Sequence, residues 1–182
     1  MGTVGALLVA LVLLGFQAWD RRRDARDRHR AQAELIGAAM GPSERSGSTG
    51  DPTAGRTGID LFNGSLSPVY GLVVGIVDLQ GTAPEKIERW LELRGKGTRA
   101  IPVTTMSILP PGTFRAWIPG TGHTASMGAR PGPEIAFTDR AGKHWIRRGS
   151  GRLAELGVAP VDYFRRWGFY GPYELQTPER VE

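Results

Sequence analysis

From Thr3 to Trp19 the chain carries no charged side chain; the run reads Thr-Val-Gly-Ala-Leu-Leu-Val-Ala-Leu-Val-Leu-Leu-Gly-Phe-Gln-Ala-Trp. A segment this apolar must bury itself in protein or in lipid. As a helix rising about 1.5 Å per residue it falls a little short of a hydrocarbon core of about 30 Å. Snorkelling of flanking arginines and local thinning of the bilayer absorb such a difference. Trp19 closes the run where an amphipathic ring suits the headgroup region. A secretory signal peptide fits less well, because it wants basic residues before the apolar run and small residues at the cleavage site. Nothing basic precedes Thr3, and Phe16 is too large for a cleavage site around Ala18. A buried core helix would have little to pack on. Residues 3–19 are therefore expected to form an uncleaved transmembrane helix.

The flank sets the expected orientation. Between Asp20 and Arg30 stand Arg21, Arg22, Arg23, Arg26, Arg28 and Arg30, against Asp20, Asp24 and Asp27. The positive-inside rule counts Arg and Lys and largely ignores acids. It predicts a single-pass protein of the cell membrane with its C-terminal domain in the cytoplasm. The six arginines are candidate contacts for anionic lipid headgroups, at about 1 kcal/mol per basic residue near the surface; the plainer reading makes them only a topology signal. Good helix formers and four-residue charge spacing predict that residues 20–40 form a basic helical stalk, ended by Gly41-Pro42. Residues 41–57 are rich in Gly, Ser, Thr and Pro and lack large apolar side chains, so they read as a flexible linker.

Beyond the linker the pattern becomes that of strands. Glycine (26) and proline (13) are abundant, which favours turns over long helices. Ile59–Phe62 predicts a short strand and Asn63-Gly-Ser65 a turn. Val69–Leu79 is apolar on both faces, as a central strand is, and Gly71 and Gly75 within it predict a bulge or a close backbone approach. Thr82-Ala-Pro-Glu85 resembles a capping box with Pro near the start, and Ile87, Trp90 and Leu91 recur at helical spacing. One short helix is thus expected between strands, laying an apolar stripe on the sheet. Strands are predicted over Ile101–Leu109, Thr113–Ile118, Glu134–Thr138 and Lys143–Arg148; the last two flank Asp139-Arg-Ala-Gly142 as a β-hairpin. Trp145 is expected in the core. The fold class predicted is mainly β: a β-sandwich over residues 58–157 with one inserted helix, preceded by the transmembrane and stalk helix and followed by an aromatic-rich tail, 158–182.

Three stretches carry a resemblance: Asn63-Gly-Ser-Leu-Ser-Pro-Val-Tyr70, Leu109-Pro-Pro-Gly112, and Ile135-Ala-Phe-Thr-Asp-Arg-Ala-Gly-Lys-His-Trp-Ile-Arg-Arg148. In order and spacing, from Ile59 to about Tyr173, the chain resembles a group of uncharacterised actinobacterial membrane-anchored proteins. The resemblance implies an immunoglobulin-like β domain behind a short membrane segment and a basic stalk. It implies no activity and assigns no functional residues.

Candidate chemistry is sparse. Without cysteine, thiol catalysis, disulfides and Cys-based zinc sites are excluded. Ser126, His123 and Asp139 supply the residue types of a hydrolytic triad, but no nucleophile elbow frames a serine. No metal-ligand spacing or phosphate-cradling loop is present, so no catalytic, metal or cofactor residue is assigned. The net charge of +5 is carried almost wholly by arginine, since only Lys86, Lys96 and Lys143 are lysines. Lys143, His144, Arg147, Arg148 and Arg152 form a basic cluster that is either a solvated strand face or a binding patch. Arg147, Arg148, Trp167, Phe169, Tyr170 and Tyr173 are candidate partner-binding residues; the aromatic tail either wraps back onto the sandwich or meets a partner. The expected function is a membrane-tethered, non-catalytic interaction or structural module with an unknown protein partner, no nucleic acid and no small-molecule substrate. Sensing of anionic lipid is the alternative, and a hydrolase comes third.

Overall fold

The computed structural model describes Gln17 and residues 29–44, 55–80, 85–94, 103–119, 130–167, 175–177 and 179–181. Among them ten strands form two sheets. The four-stranded sheet is ordered β1-β2-β5-β10 and the six-stranded sheet β8-β7-β6-β3-β4-β9. Their ranges are β1 Ile36–Glu44, β2 Arg56–Asn63, β3 Val69–Gln80, β4 Val103–Leu109, β5 Gly112–Pro119, β6 Arg130–Thr138, β7 His144–Arg147, β8 Leu153–Leu156, β9 Leu175–Gln176 and β10 Glu179–Arg180. Neighbours are antiparallel except β4 and β9, which run parallel. The molecule is a mainly β sandwich.

Alternation along the strands builds the core. Ile59 and Leu61 of β2, Ala116 and Ile118 of β5, and Leu72, Val74 and Ile76 of β3 are buried between the sheets with Phe137 and Trp145. The opposite face of β3 turns Val73 and Val77 into a second apolar layer, with Ala136 and Ile146. Two helices cover that layer: α1, Ile87–Arg94, through Ile87 and Leu91, and α2, Pro160–Arg165, through Phe164. The two-sided character expected of Val69–Leu79 thus holds, because sheet covers one face of β3 and helices the other.

Both glycines of β3 have the roles their positions predicted. Gly71 has φ of +56° and sits where the β3–β6 register shifts between Tyr70 and Val73. A Cβ on Gly75 would stand 2.7 Å from Cδ1 of Ile87, so the bare backbone there is the floor on which α1 rests. The hairpin of β6 and β7 closes with Thr138 opposite His144. The carboxylate of Asp139 accepts from the Ala141 and Lys143 amides and from the Trp145 indole N–H.

Several expected boundaries are corrected. Residues 29–34 are helical, but the predicted stalk helix does not reach Met40, because Ile36 begins β1. Helix propensity is outweighed by burial: Ile36 is fully buried, and Ala38 and Met40 pack against the core. Gly41-Pro42, expected to end a helix, lies at the break in β1–β2 register between Met40 and Ser43, an edge position that suits proline. The predicted linker 41–57 is a connection within the sandwich, since Glu44 pairs with Arg56 and Ser43 with Thr57 across β1 and β2. The sandwich therefore begins at β1, earlier than residue 58. Its sheets also recruit the region expected as a tail, through α2, β9 and β10. The predicted transmembrane segment 3–19, save Gln17, lies outside the described residues. Among the described residues no helix is long and apolar enough to cross a membrane.

Candidate functional site

The strongest concentration of buried polar chemistry lies where α1 and α2 meet the six-stranded sheet. In β6, Glu134 shares its side of the sheet with Ala136 of the helix-covered layer, so its carboxyl group is driven into that layer. The side chain is fully buried. Its Oε1 accepts the Ile87 amide at 3.2 Å and an Arg148 N–H at 3.1 Å, whereas its Oε2 has no hydrogen-bond partner among the described residues. Arg148, just past β7, also donates to Glu88 of α1 at 2.8 Å. The Tyr163 hydroxyl of α2 donates to the other oxygen of Glu88 at 2.7 Å. Two helices and the sheet are thus joined by one chain of charge-assisted hydrogen bonds, Tyr163–Glu88–Arg148–Glu134.

The electrostatics follow from burial. Loss of water pushes the Glu134 carboxyl group up to about 7, with the nearby Glu88 charge adding to the rise, although the Arg148 guanidinium pulls the other way. For Arg148, burial opposes the charge, but Glu134 and Glu88 outweigh it and hold the guanidinium above its ordinary value. Tyr163 is raised by burial and by its bond to the Glu88 carboxylate. The arrangement can take up a proton near neutrality and can bind α1 and α2 to the sheet. An open cleft of about 240 Å³ lies alongside, lined by Leu79, Glu85, Lys86, Arg148, Ser150 and Arg152. No group of three His, Asp or Glu side chains suited to a metal ion is present among the described residues.

The candidates named from the sequence fare unequally. Arg147 and Arg148 are adjacent but turn to opposite sides of the sheet, as strand geometry requires. Arg147 reaches toward the first helical residues: its guanidinium donates to the carbonyls of Ile36 at 2.7 Å, Ala33 at 3.2 Å and Glu34 at 3.1 Å, and also to Gly151. Both arginines are therefore engaged within the domain, a role that the sequence did not predict. Trp167 follows α2 and is partly exposed; Phe169, Tyr170 and Tyr173 lie outside the described residues. Phe164 of the same aromatic stretch packs in cis, fully buried and edge-on to Tyr163. Arg30 is exposed and stands 3.5 Å from Glu34, one helical turn on. Arg21, Arg22, Arg23, Arg26 and Arg28 lie outside the described residues, as do His123 and Ser126. Asp139 of that triad composition serves the hairpin turn instead. Lys143 pairs with Glu155 at 2.9 Å.

A second cluster lies on the outer face of the four-stranded sheet. Trp117 rests over Gly58, whose missing Cβ leaves room for the ring. The Arg56 guanidinium stands 4.1 Å from its centroid and that of Arg115 5.7 Å, a cation–π arrangement on an exposed sheet. The Trp117 indole N–H donates to Glu179 of β10 at 3.0 Å, and Arg115 holds Asp60 with two bonds.

Sequence reasoning missed Glu134, Glu88 and Tyr163. One signal was present: Glu134 opens the apolar run Ile135-Ala-Phe137, and a carboxylate bordering a buried strand needs a cation. Which cation answers it was not legible, since Arg148 lies beyond a turn and Glu88 sixty residues away. Compared with known protein families, curated proteins and solved structures, the chain matches none of them.

Proposed function

We propose that the chain is a membrane-tethered, non-catalytic interaction module, with residues 3–19 crossing the bilayer once and an immunoglobulin-like sandwich held on the cytoplasmic side. One observation carries the reading. The last residues of the basic region are part of the sandwich: Ala33 is fully buried in its core, and Arg147 bonds the carbonyls of Ala33, Glu34 and Ile36. From His29 onward the chain is thus packed against the domain. The immunoglobulin-like description draws support from two face-to-face sheets whose chain crosses between them at β2–β3, β4–β5 and β5–β6. The Tyr163–Glu88–Arg148–Glu134 chain acts in this reading as a strut that stiffens the domain. Its members are bonded one to the next, with Oε2 of Glu134 alone left over among the described residues.

Fractionation of cells making the full chain is the test. The chain should sediment with membranes, resist alkaline carbonate and yield only to detergent. Protease added outside intact cells should spare the C-terminal region. Digestion of that region, or a chain that stays in the supernatant without detergent, would end this reading.

A further inference from the structure

The exposed large apolar side chains of the sandwich are gathered at one end. Among the described residues they are Leu35, Phe62, Leu66, Tyr70, Ile108 and Trp167. All but Trp167 stand where β2, β4 and β6 finish and β3, β5 and β7 begin. Tyr70 and Ile108 are cross-strand partners at the start of β3 and the end of β4. Phe62 is the penultimate residue of β2, and Leu35 immediately precedes β1. Leu66 crowns the turn between β2 and β3 and is 99% exposed.

Leu66 is not exposed through slackness of its turn. The Asn63 side chain is buried and donates to the carbonyls of Ser67 and Leu109, each at 3.0 Å. Its Oδ1 accepts from the Ser65 amide and hydroxyl at 3.0 and 2.7 Å. A braced turn thus holds a leucine fully in water beside Leu35, with Phe62 on the outer face of one sheet and Tyr70 and Ile108 on the outer face of the other. A leucine held in water by its own turn is suited to a surface that offers it apolar cover.

The chain itself arrives at this end. His29 Nδ1 lies 3.9 Å from Asp139 Oδ2 beside the β6–β7 turn. A depression of about 580 Å³ there is lined by His29, Gln32, Leu35, Leu66, Ser67 and Arg140, among others. Trp19, the last residue of the uncharged run, is ten positions before His29. Ten residues reach about 15 Å as a helix and about 35 Å fully extended. The eight-residue strands β2 and β5 place the other end about 26 Å farther away at about 3.3 Å per residue. The apolar end is therefore the one nearer to the uncharged run along the chain. Two described arginines border it: Arg30 is exposed, and Arg140 meets the Leu66 turn through Ser67.

We propose that this end of the sandwich rests on an anionic bilayer surface, with Leu66 inserted among the headgroups and Arg30 and Arg140 facing lipid phosphates. The proposal rests on the membrane-tethered reading. It adds the face that meets the lipid and leaves the outer sheet face and the opposite end directed away from it. A second copy of the chain is the competing occupant, and the same measurement separates the two.

The chain has no cysteine, so Leu66→Cys and Ser150→Cys each provide a single labelling position, one at either end. The full-length variants, carrying an environment-sensitive fluorophore, are reconstituted in vesicles of phosphatidylcholine and phosphatidylglycerol that include nitroxide-labelled lipid. The label at position 66 should be quenched several-fold more than the label at 150, and the excess should shrink when phosphatidylglycerol is left out. Equal quenching at both positions in chains that float with the vesicles overturns the docking while leaving the tether intact. A dry emission spectrum at position 66 without lipid quenching places another protein surface there, and also overturns it. Excess quenching unaffected by omitting phosphatidylglycerol overturns the anionic preference. Chains that do not float with the vesicles remove the tether and the docking together.

Discussion

The two ends of the sandwich handle polarity in opposite ways. At the end where the chain arrives, buried polar groups such as Asn63, Ser65 and Asp139 brace tight turns, and large apolar side chains stand outside. Toward the other end, charge is taken inside: Glu134, Glu88 and Arg148 tie the helices to the sheet, and Lys86, Ser150 and Arg152 line an open cleft. The contrast teaches that polar groups are buried at both ends of this molecule, as turn braces at one and as ties between helices and sheet at the other, while five exposed large apolar side chains gather at the first.

The largest test of this contrast is Arg148→Met. It leaves the fully buried Glu134 and its neighbour Glu88 without a cation, and losing one partner of a buried ion pair costs about 3–5 kcal/mol. Urea unfolding of the detergent-solubilised chain, followed by tryptophan fluorescence, should show that loss. A change below about 1 kcal/mol would mean the charges are not buried as described.

The pH dependence comes next. The Glu134 carboxyl group is raised from 4.5 to about 7 in the folded domain. A folded-state value above the unfolded one contributes stability that is complete below about pH 4.5 and is lost as pH rises through about 7. The loss is about 3 kcal/mol. Glu134→Gln should flatten the fall of the thermal midpoint across that window; a parallel slope in the variant would place the titration elsewhere.

At the arrival end the effects are smaller. Asn63→Ala removes four hydrogen bonds of the β2–β3 turn, one of them to the carbonyl of buried Leu109, a loss of about 2 kcal/mol. Its hydrogen-exchange signature should be local, with faster exchange over residues 64–68. Leu66→Ser should change stability by less than about 0.5 kcal/mol, because nothing in the domain covers the side chain. A larger loss would show that Leu66 has a partner within the chain.

Much of the sandwich could be read from local pattern. The two-sided burial of β3, the roles of Gly71 and Gly75, the Asp139–Gly142 hairpin and the buried Trp145 each follow from residues close in sequence. β1 was not legible, because Ala38, Ala39 and Met40 favour a helix in isolation, and only pairing with β2 makes them strand. Nor was the separation of Arg147 from Arg148 onto opposite sides. Adjacent residues of one basic cluster acquire different partners only once the strand is placed between layers.

The sequence by itself determined the alternation of apolar and polar positions, the turns, the inserted helix and the uncharged run followed by arginines. These rest on interactions within a few residues, where spacing alone decides which side chains share a face. The tertiary structure alone decided that Arg147 closes on Ala33 and Ile36, more than a hundred residues away, and that Glu134 meets Glu88 through Arg148. It also decided that five exposed apolar side chains, far apart in the chain, collect at one end. Such pairings depend on which sheet edges and faces come together. That choice is made by burial of the whole core, and no short stretch of residues contains it.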